Sequence, residues 1–185
     1  AFLNVGTIED VLEKAKQLMA DAGYADGFDI ECSVSPGLLN STDVVQAIAS
    51  QLAQIGINVT IKQEDSATQR DEIGAGTVAP LFLQGLGGPY CDINLIASIG
   101  FTEGARYCTW VSPEFMDLAS QAASEMDAEK RVALYSQMQQ MMVYEAPALW
   151  LYQQDTLYAY NSKKVQNWTA RTDEVVLMDG VSVAG

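Results

Sequence analysis

The side chains best suited to chemistry in this sequence are three cysteines and several adjacent pairs of carboxylates. The cysteines are Cys32, Cys91 and Cys108, and their spacings match no zinc or redox motif. Neighbouring carboxylates point in different directions in regular secondary structure, so they do not converge on one scissile bond. We therefore interpret these pairs as solvated acidic faces; they are Glu9/Asp10, Glu64/Asp65 and Asp71/Glu72.

Histidine is absent from all 185 residues, which limits the chemistry further. A nucleophilic Ser, Cys or Thr lacks its usual base, and no Gly-x-Ser-x-Gly elbow occurs. Because histidine is absent and the cysteine spacings match no zinc motif, a metal site built from imidazole or soft ligands is disfavoured. We expect neither a metal nor a cofactor. Cys91 and Cys108 flank one loop region and could pair in an exported protein. Buried free thiols are the alternative.

A glycine-rich junction over Ala79–Asp92 is the candidate binding segment. It begins as an apolar run, breaks at three glycines and a proline, and resumes as the start of a helix. Ligands commonly bind beyond the carboxyl ends of strands in an open α/β sheet, and glycine lets them approach the backbone. The candidate ligand-binding residues are Gln84, Gly85, Leu86, Gly87, Gly88, Pro89, Tyr90 and Asp92. A strand-to-helix turn without a ligand is the alternative, and neither Rossmann nor Walker spacing is present.

The charge balance limits the classes of partner. Lys and Arg total 10 against 24 Asp and Glu, a formal net charge of −14, and no segment clusters basic residues with aromatics. Nucleic acid is therefore not an expected partner, because binding it requires neutralisation of phosphates. A hydrophobic content of 49% is typical of a globular domain. No apolar run approaches the roughly 20 residues that span a bilayer.

Helices and strands alternate in the first half of the chain and position the junction. A helix opens at Thr7 and closes at Gly23, and a second helix starts near Ser41 and stops at Gly56. Strands over 28–34 and 57–63 flank that second helix, which predicts parallel pairing with a right-handed crossover. A short helix over 67–73 and a third strand over 78–84 then lead into the junction.

The second half is predicted to be mainly helical, with strands near the end. Ser112-Pro113 is a cap residue followed by proline at the first helical position. We predict helices over 92–99, from Ser112-Pro113 onward and over 128–145, and aromatic-rich strands over 148–152 and 156–160. Met138, Met141 and Met142 share one helical face, and we interpret them as core. Residues 161–185 carry no clear assignment.

Several short motifs occur in the same order as these elements. They are Leu18-Met-Ala-Asp-Ala-Gly-Tyr24, Gln51-Leu-Ala-Gln-Ile-Gly-Ile-Asn-Val59, Trp110-x-Ser-Pro-Glu-Phe-x-Asp-Leu118 and Glu145-Ala-Pro-Ala-Leu-Trp-Leu151. Together they resemble the C-terminal lobe of the extracellular solute-binding proteins of ABC importers, in the dipeptide- and oligopeptide-binding family. The resemblance extends over about residues 9–168.

The resemblance implies an α/β fold with a central mixed sheet and helices on both faces, one lobe of a two-lobed periplasmic-binding-protein (type II) fold. Residues 1–185 would be a single domain, the C-terminal lobe of a larger protein, with part of the site. The implied function is capture of a small solute for an ABC permease, without enzymatic activity. The implied location is periplasmic or extracellular, with a lipid anchor in a Gram-positive source. A small α/β enzyme with an acidic cleft and a purely structural interaction domain are the alternatives.

The glycine-rich junction departs from the pattern of that family. Its peptide-binding members have an aromatic residue after the glycine and, three residues later, an aspartate that receives the peptide ammonium group. Those positions hold Leu86 and Pro89 here. A buried ammonium group without a carboxylate is costly, so the departure favours another solute, such as an oligosaccharide or an opine-like compound. Asp92 compensates only if the loop is shifted.

Overall fold

The structure is a computed structural model that describes residues 6–38, 40–86, 93–107, 110–153, 155–171 and 175–184. The chain forms two compact units, Ala1–Gly85 and Leu86–Gly185. The first contains a parallel sheet with helices, and the second is mainly helical. That the whole chain forms one domain stays a prediction.

The first unit confirms the strand–helix–strand order and its parallel pairing. Its elements are α1 (Ile8–Asp21), β1 (Phe28–Val34), α2 (Ser41–Leu52), β2 (Ile57–Gln63), α3 (Ser66–Ala75) and β3 (Leu81–Phe82). The strand order is β2-β1-β3, and both pairings are parallel. A 3₁₀ turn extends the second helix to Gly56, as predicted. The third strand has only two residues and is shorter than the predicted 78–84.

Local side-chain caps mark where α1 and α3 begin. The Thr7 hydroxyl accepts the Asp10 N–H at 3.2 Å, and the Asp10 carboxylate accepts the Thr7 N–H at 2.7 Å, which is a capping box. The Thr7 N–H, and then the Thr7 hydroxyl, which donates to Asp10 Oδ2 at 2.9 Å, lower the pKa of Asp10. Asp65 caps α3 through its Oδ1, which accepts from the Ala67 and Thr68 N–H groups at 3.0 and 3.1 Å.

Two glycines pack backbone to backbone where the sheet begins. Gly27 and Gly56 have φ angles of +76° and +86°, in the left-handed region that favours glycine. The Phe28 N–H donates to the Gly56 carbonyl at 3.1 Å. A Cβ on Gly27 would collide with that carbonyl oxygen, so glycine is required there by space as well as by backbone angle.

The apolar core of the first unit lies at the carboxyl half of β1. Cys32, Val34 and Val45 are buried, and Val59, Ile61 and Leu83 pack against them. Burial raises the pKa of the Cys32 thiol. Cys32 and Val34 confirm the predicted alternation, but Ser33 between them is also buried. Both sides of β1 are therefore covered at its carboxyl end.

The second unit contains the remaining helices. Its elements are α4 (Ile93–Gly100), α5 (Pro113–Ser124), α6 (Ala128–Glu145), β4 (Val165–Gln166) and β5 (Ser182–Val183). Ser112 caps α5, its hydroxyl accepting from the Phe115 N–H at 3.3 Å, as predicted. Met138 and Met142 are buried among aromatic and aliphatic side chains, and Met141 packs against them, which confirms the methionines as core.

The aromatic-rich strands predicted over 148–152 and 156–160 are wrong. The described residues of these segments form no strand, and Leu149 and Leu157 are 73% and 91% exposed. A strand is stabilised by backbone hydrogen bonds to a neighbouring strand, and the sheets formed by the described residues, β2-β1-β3 and β4-β5, include neither segment. Tyr158 and Tyr160 instead pack edge-to-face on Trp168, with ring centroids 5.5 and 4.9 Å away. The strands of this unit are β4 and β5, which pair antiparallel in the unassigned tail.

Candidate functional site

Three of the predicted ligand-binding residues lie in the described part of the chain. Gln84 and Gly85 follow β3 directly, and Gly85 is exposed beside the Leu38 side chain. Leu86 packs against the buried residues of the second unit. The other predicted residues lie outside the described residues; they are Gly87, Gly88, Pro89, Tyr90 and Asp92. The proposed pair Cys91 and Cys108 also lies outside them.

A cluster of polar side chains lies at the carboxyl ends of β1 and β2. We call it the edge cluster; it consists of Ser33, Lys62, Glu64, Gln69 and Glu72. Parallel pairing places Ser33 opposite Lys62 in the ladder, and Glu64 follows β2 directly. The other two come from α3. Parallel strands bring their carboxyl ends to the same edge, which explains why residues so far apart in sequence meet here.

Hydrogen bonds connect the edge cluster to the segment that precedes Gln84. The Ser33 hydroxyl donates to Glu64 Oε1 and accepts from Gln69 Nε2 at 2.9 Å. Gln69 Nε2 also donates to the Leu83 carbonyl at 3.5 Å. The Leu83 N–H in turn donates to the Ser33 carbonyl at 3.0 Å. Leu83 is therefore held by both the backbone of β1 and a side chain of α3.

An ion pair neutralises part of the buried charge. Lys62 Nζ lies 2.8 Å from Glu64 Oε2 and 2.8 and 2.7 Å from the two Glu72 oxygens. Glu64 Oε2 is buried and accepts no well-aligned hydrogen bond. Its contact with Lys62 is therefore an ion pair without a hydrogen bond of good geometry. Burial alone would raise the pKa of Glu64, but Lys62 and Ser33 together outweigh it and lower that pKa. Glu64, then Glu72, raises the pKa of Lys62.

The interpretation of Glu64/Asp65 as a solvated acidic face is wrong for Glu64. Its side chain is only 6% exposed and is paired with Lys62. Asp65 is exposed but caps α3, and hydrogen bonds from the Thr68 hydroxyl, then the Thr68 and Ala67 N–H groups, lower its pKa. A signal for the pair was present, because residues two apart share one face of a strand and Lys62 is two residues before Glu64. The contact of Glu64 with Ser33, and that of Ser33 with Gln69, had no local signal.

Serine side chains hold the loop that follows β1 at the same edge. Ser35 Oγ lies 2.6 Å from Ser66 Oγ and accepts the Gly37 N–H at 3.3 Å. The Ser41 hydroxyl donates to the Ser35 carbonyl at 2.7 Å. Ser35 and Ser41 are buried. These bonds satisfy buried polar groups and hold Ser35 and Gly37, which follow β1.

No metal site and no membrane-spanning element is found in the part of the chain that the structure describes. Within it, no three carboxylate or thiol side chains gather closely enough to hold a metal ion. No helix within the described ranges is both long enough and apolar enough to cross a bilayer. A surface depression along α1 is lined by Glu9, Leu12, Glu13 and Lys16, among others, and shares no residue with the edge cluster.

A protein-family model matches residues 4–103, more than half of the chain. Its description is "Bacterial extracellular solute-binding proteins, family 5 Middle". The match includes the first unit from residue 4 onward, the edge cluster and the glycine-rich junction.

Individual proteins resemble the chain over most of its length. A dipeptide-binding protein from Escherichia coli K12 is 28% identical over 145 residues, which is 74% of this chain and 27% of that protein. A periplasmic oligopeptide-binding protein from Borrelia burgdorferi has a similar structure, with a TM-score of 0.80, 22% identity and coverage of 94% of this chain and 36% of that one. The binding protein AgaA from A. tumefaciens R10, solved with agropinic acid, has a TM-score of 0.65 and 24% identity. The likeness covers 73% of this chain and 28% of AgaA.

These likenesses confirm the predicted fold class, an α/β lobe of a type II periplasmic binding protein. The sheet of the first unit was predicted to be mixed, but both of its pairings among the described residues are parallel. The chain spans about a quarter to a third of the length of the proteins it matches.

Proposed function

Because the chain belongs to the family 5 bacterial extracellular solute-binding proteins, we propose that it is part of a protein that captures a small solute for ABC-type import. The family match over residues 4–103 is the observation that carries this proposal. The chain spans 27% of its E. coli relative, so we propose that the rest of a larger protein supplies the remainder of the site. Its partner in import would be an ABC permease. The proteins of this family are binding proteins, and we propose no catalytic step.

We propose that the glycine-rich junction supplies the solute contacts of this chain. Gln84 and Gly85 follow a strand of a parallel sheet, at the edge where ligands of α/β proteins commonly bind. Gly85 is exposed, so its backbone is accessible to a solute. The proposal extends to the residues that follow, which are Leu86, Gly87, Gly88, Pro89, Tyr90 and Asp92.

The proposed solute is a peptide or a related small compound. The E. coli relative is a dipeptide-binding protein, which favours a peptide. Leu86 and Pro89 stand where the family places an aromatic residue and an ammonium-binding aspartate, which favours a solute without a free ammonium group. AgaA holds agropinic acid on the same fold, so the fold is compatible with an opine-like solute. An oligosaccharide finds no support among the relatives described above.

We propose a periplasmic or extracellular location, with a lipid anchor if the source is Gram-positive. Metabolic labelling of the full-length protein with a radioactive fatty acid tests the anchor directly. Incorporation that survives denaturing electrophoresis supports a covalent lipid, and an unlabelled band contradicts it.

Thermal unfolding of the full-length protein with a small panel of solutes tests the function. The panel contains the dipeptide Ala-Phe, its N-acetylated form, agropinic acid and maltotriose. A solute at 100 times its Kd stabilises the folded state by about 2.7 kcal/mol, which shifts the midpoint measurably. We expect stabilisation by a dipeptide or agropinic acid, and none by maltotriose. If N-acetylation leaves the effect intact, the ammonium group is not recognised, as Leu86 and Pro89 predict.

The same samples distinguish the enzyme alternative. Chromatography of each solute after incubation shows whether it is consumed. Stabilisation without consumption supports a receptor. Consumption of a solute with no stabilisation by any member of the panel contradicts the receptor function and favours the enzyme.

A further inference from the structure

The Gln69 side chain occupies an unusual place for a neutral polar residue. The residue is 3% exposed, and its amide nitrogen has two acceptors, Ser33 Oγ at 2.9 Å and the Leu83 carbonyl at 3.5 Å. Buried amides are retained where their hydrogen bonds are satisfied, because an unpaired one is costly. One of these bonds ends at the residue immediately before Gln84, the first of the predicted solute contacts.

Glu64 fixes the direction of the hydrogen bonds around Gln69. An ionised carboxylate only accepts, so the Ser33 hydroxyl must give its single hydrogen to Glu64 Oε1. The Ser33 oxygen is then left to accept from Gln69. This sets the orientation of the Gln69 amide, with its nitrogen toward Ser33 and Leu83. Lys62 keeps the carboxylate ionised by pairing with its other oxygen.

The segment after β3 depends on such anchors because its ladder is short. Within β3 and the described residues that follow it, the ladder with β1 contains only Leu81 and Phe82. The next residue, Leu83, makes two hydrogen bonds. Its N–H donates to the Ser33 carbonyl, and its carbonyl accepts from Gln69 Nε2. Ser33 therefore contributes to both bonds of Leu83. Its carbonyl accepts from the Leu83 N–H, and its hydroxyl orients the Gln69 amide that donates to the Leu83 carbonyl.

We propose that Gln69, oriented by Ser33 and Glu64, is a positioning residue for the solute-binding segment that begins at Gln84. The inference rests on the function proposed above. Gln69 touches no solute; it fixes the Leu83 carbonyl and so limits the conformations open to Gln84 and Gly85. Preorganised contacts bind more tightly than contacts that must be ordered on binding, so loss of this anchor weakens solute affinity.

Solute titration of matched variants of the full-length protein tests this role. Gln69→Met keeps the length and removes the amide, and Ile73→Val removes one methylene from the other buried residue of the same helix, which is no part of the edge cluster's hydrogen bonds and ion pairs. Calorimetry uses Ala-Phe and agropinic acid as probes, and thermal unfolding without probe verifies that each variant is folded. We expect Gln69→Met to raise the Kd of the bound probe about tenfold, equivalent to ~1.4 kcal/mol, and Ile73→Val to leave it unchanged.

A double-mutant cycle separates positioning from general destabilisation. Ser33→Ala removes the acceptor that orients Gln69, so it should weaken binding by itself but add little to Gln69→Met. Effects on Kd that multiply fully in the double variant would show that the two residues act independently and would overturn the proposed arrangement. An unchanged Kd in a folded Gln69→Met variant would overturn the positioning role.

Hydrogen exchange gives a readout that needs no solute. Peptides that contain residues 83–85 should exchange faster in Gln69→Met than in the wild type or in Ile73→Val. Equal exchange in all three would contradict the anchoring of Leu83 by Gln69. If the wild type binds neither probe, the proposed function fails, and the exchange comparison still decides whether Gln69 holds this segment.

Discussion

Replacing Glu64 by glutamine isolates the contribution of one buried charge to stability. The glutamine side chain has nearly the same shape and its carbonyl can still accept from Ser33, but it no longer pairs with Lys62. Glu64 is 6% exposed and Lys62 is 35% exposed, so the ammonium group can regain some water when the pair is broken. Lys62 also keeps Glu72 as a partner.

The magnitude follows from this mixed exposure. Breaking a fully buried pair costs 3–5 kcal/mol as a rule and an exposed pair contributes roughly 0–1 kcal/mol, so we expect Glu64→Gln to cost about 1–3 kcal/mol near neutral pH. The pKa of Glu64 is lowered in the folded protein, so folding favours the ionised form. The stabilisation is therefore present above the unfolded-state pKa and is lost as the pH falls through the folded-state pKa.

Urea unfolding followed by far-ultraviolet circular dichroism measures both effects. All three tryptophans lie in the second unit, so tryptophan fluorescence would not report on the edge cluster. The exposed Glu31→Gln on β1 serves as the matched control. The difference between the wild type and Glu64→Gln should shrink as the pH falls from about 7 to about 3. A difference that is absent at neutral pH, or constant with pH, would refute the charge-based reasoning.

Three further substitutions test the fold. Gly27→Ala should lower the unfolding midpoint more than Gly23→Ala. Both substitutions destabilise the fold by roughly 1–2 kcal/mol because φ is positive, but only the Cβ on Gly27 collides with a backbone carbonyl. Equal losses would contradict the close approach. Met138→Ala should cost about 2–5 kcal/mol in chemical unfolding, because Met138 is 1% exposed, whereas Met126→Ala, at 91% exposure, should change stability by less than about 0.5 kcal/mol. Asp65→Ala should cost about 1 kcal/mol through loss of the cap of α3, and a midpoint equal to the wild type would argue against that cap.

The elements predicted best from sequence are those whose ends have their own local signals. The helix predicted over 128–145 has those bounds in the structure, because Asp127 caps its start and Pro147 follows its end. The strands over 28–34 and 57–63 also match, since glycine precedes each and the polar alternation is regular. In these segments the local chain contains all the information that fixes the boundaries.

The predictions that are wrong concern residues whose structure depends on partners distant in sequence. Residues 148–160 have strand composition, but composition does not supply a neighbouring strand. Glu64 resembles a surface carboxylate in the sequence, but its side chain is 6% exposed and accepts from Ser33, 31 residues earlier. Gln84 and Gly85 follow β3 in the structure, and their role in binding stays a prediction. The edge cluster was not predicted, because its contacts also join residues distant in sequence.

The register of the sheet has a consequence for the order in which the first unit folds. Each residue of β1 pairs with the residue 29 positions later, from Phe28 with Ile57 to Val34 with Gln63. Closing that one loop brings Ser33 and Glu64 together as well, so this part of the edge cluster needs no further loop closure and little further chain entropy. The pairing of β1 with β3 joins residues 49 positions apart, such as Cys32 and Leu81, so it closes a longer loop than the pairing of β1 with β2. We therefore expect β1, α2 and β2 to act as the folding nucleus, with the segment after β3 joining it last.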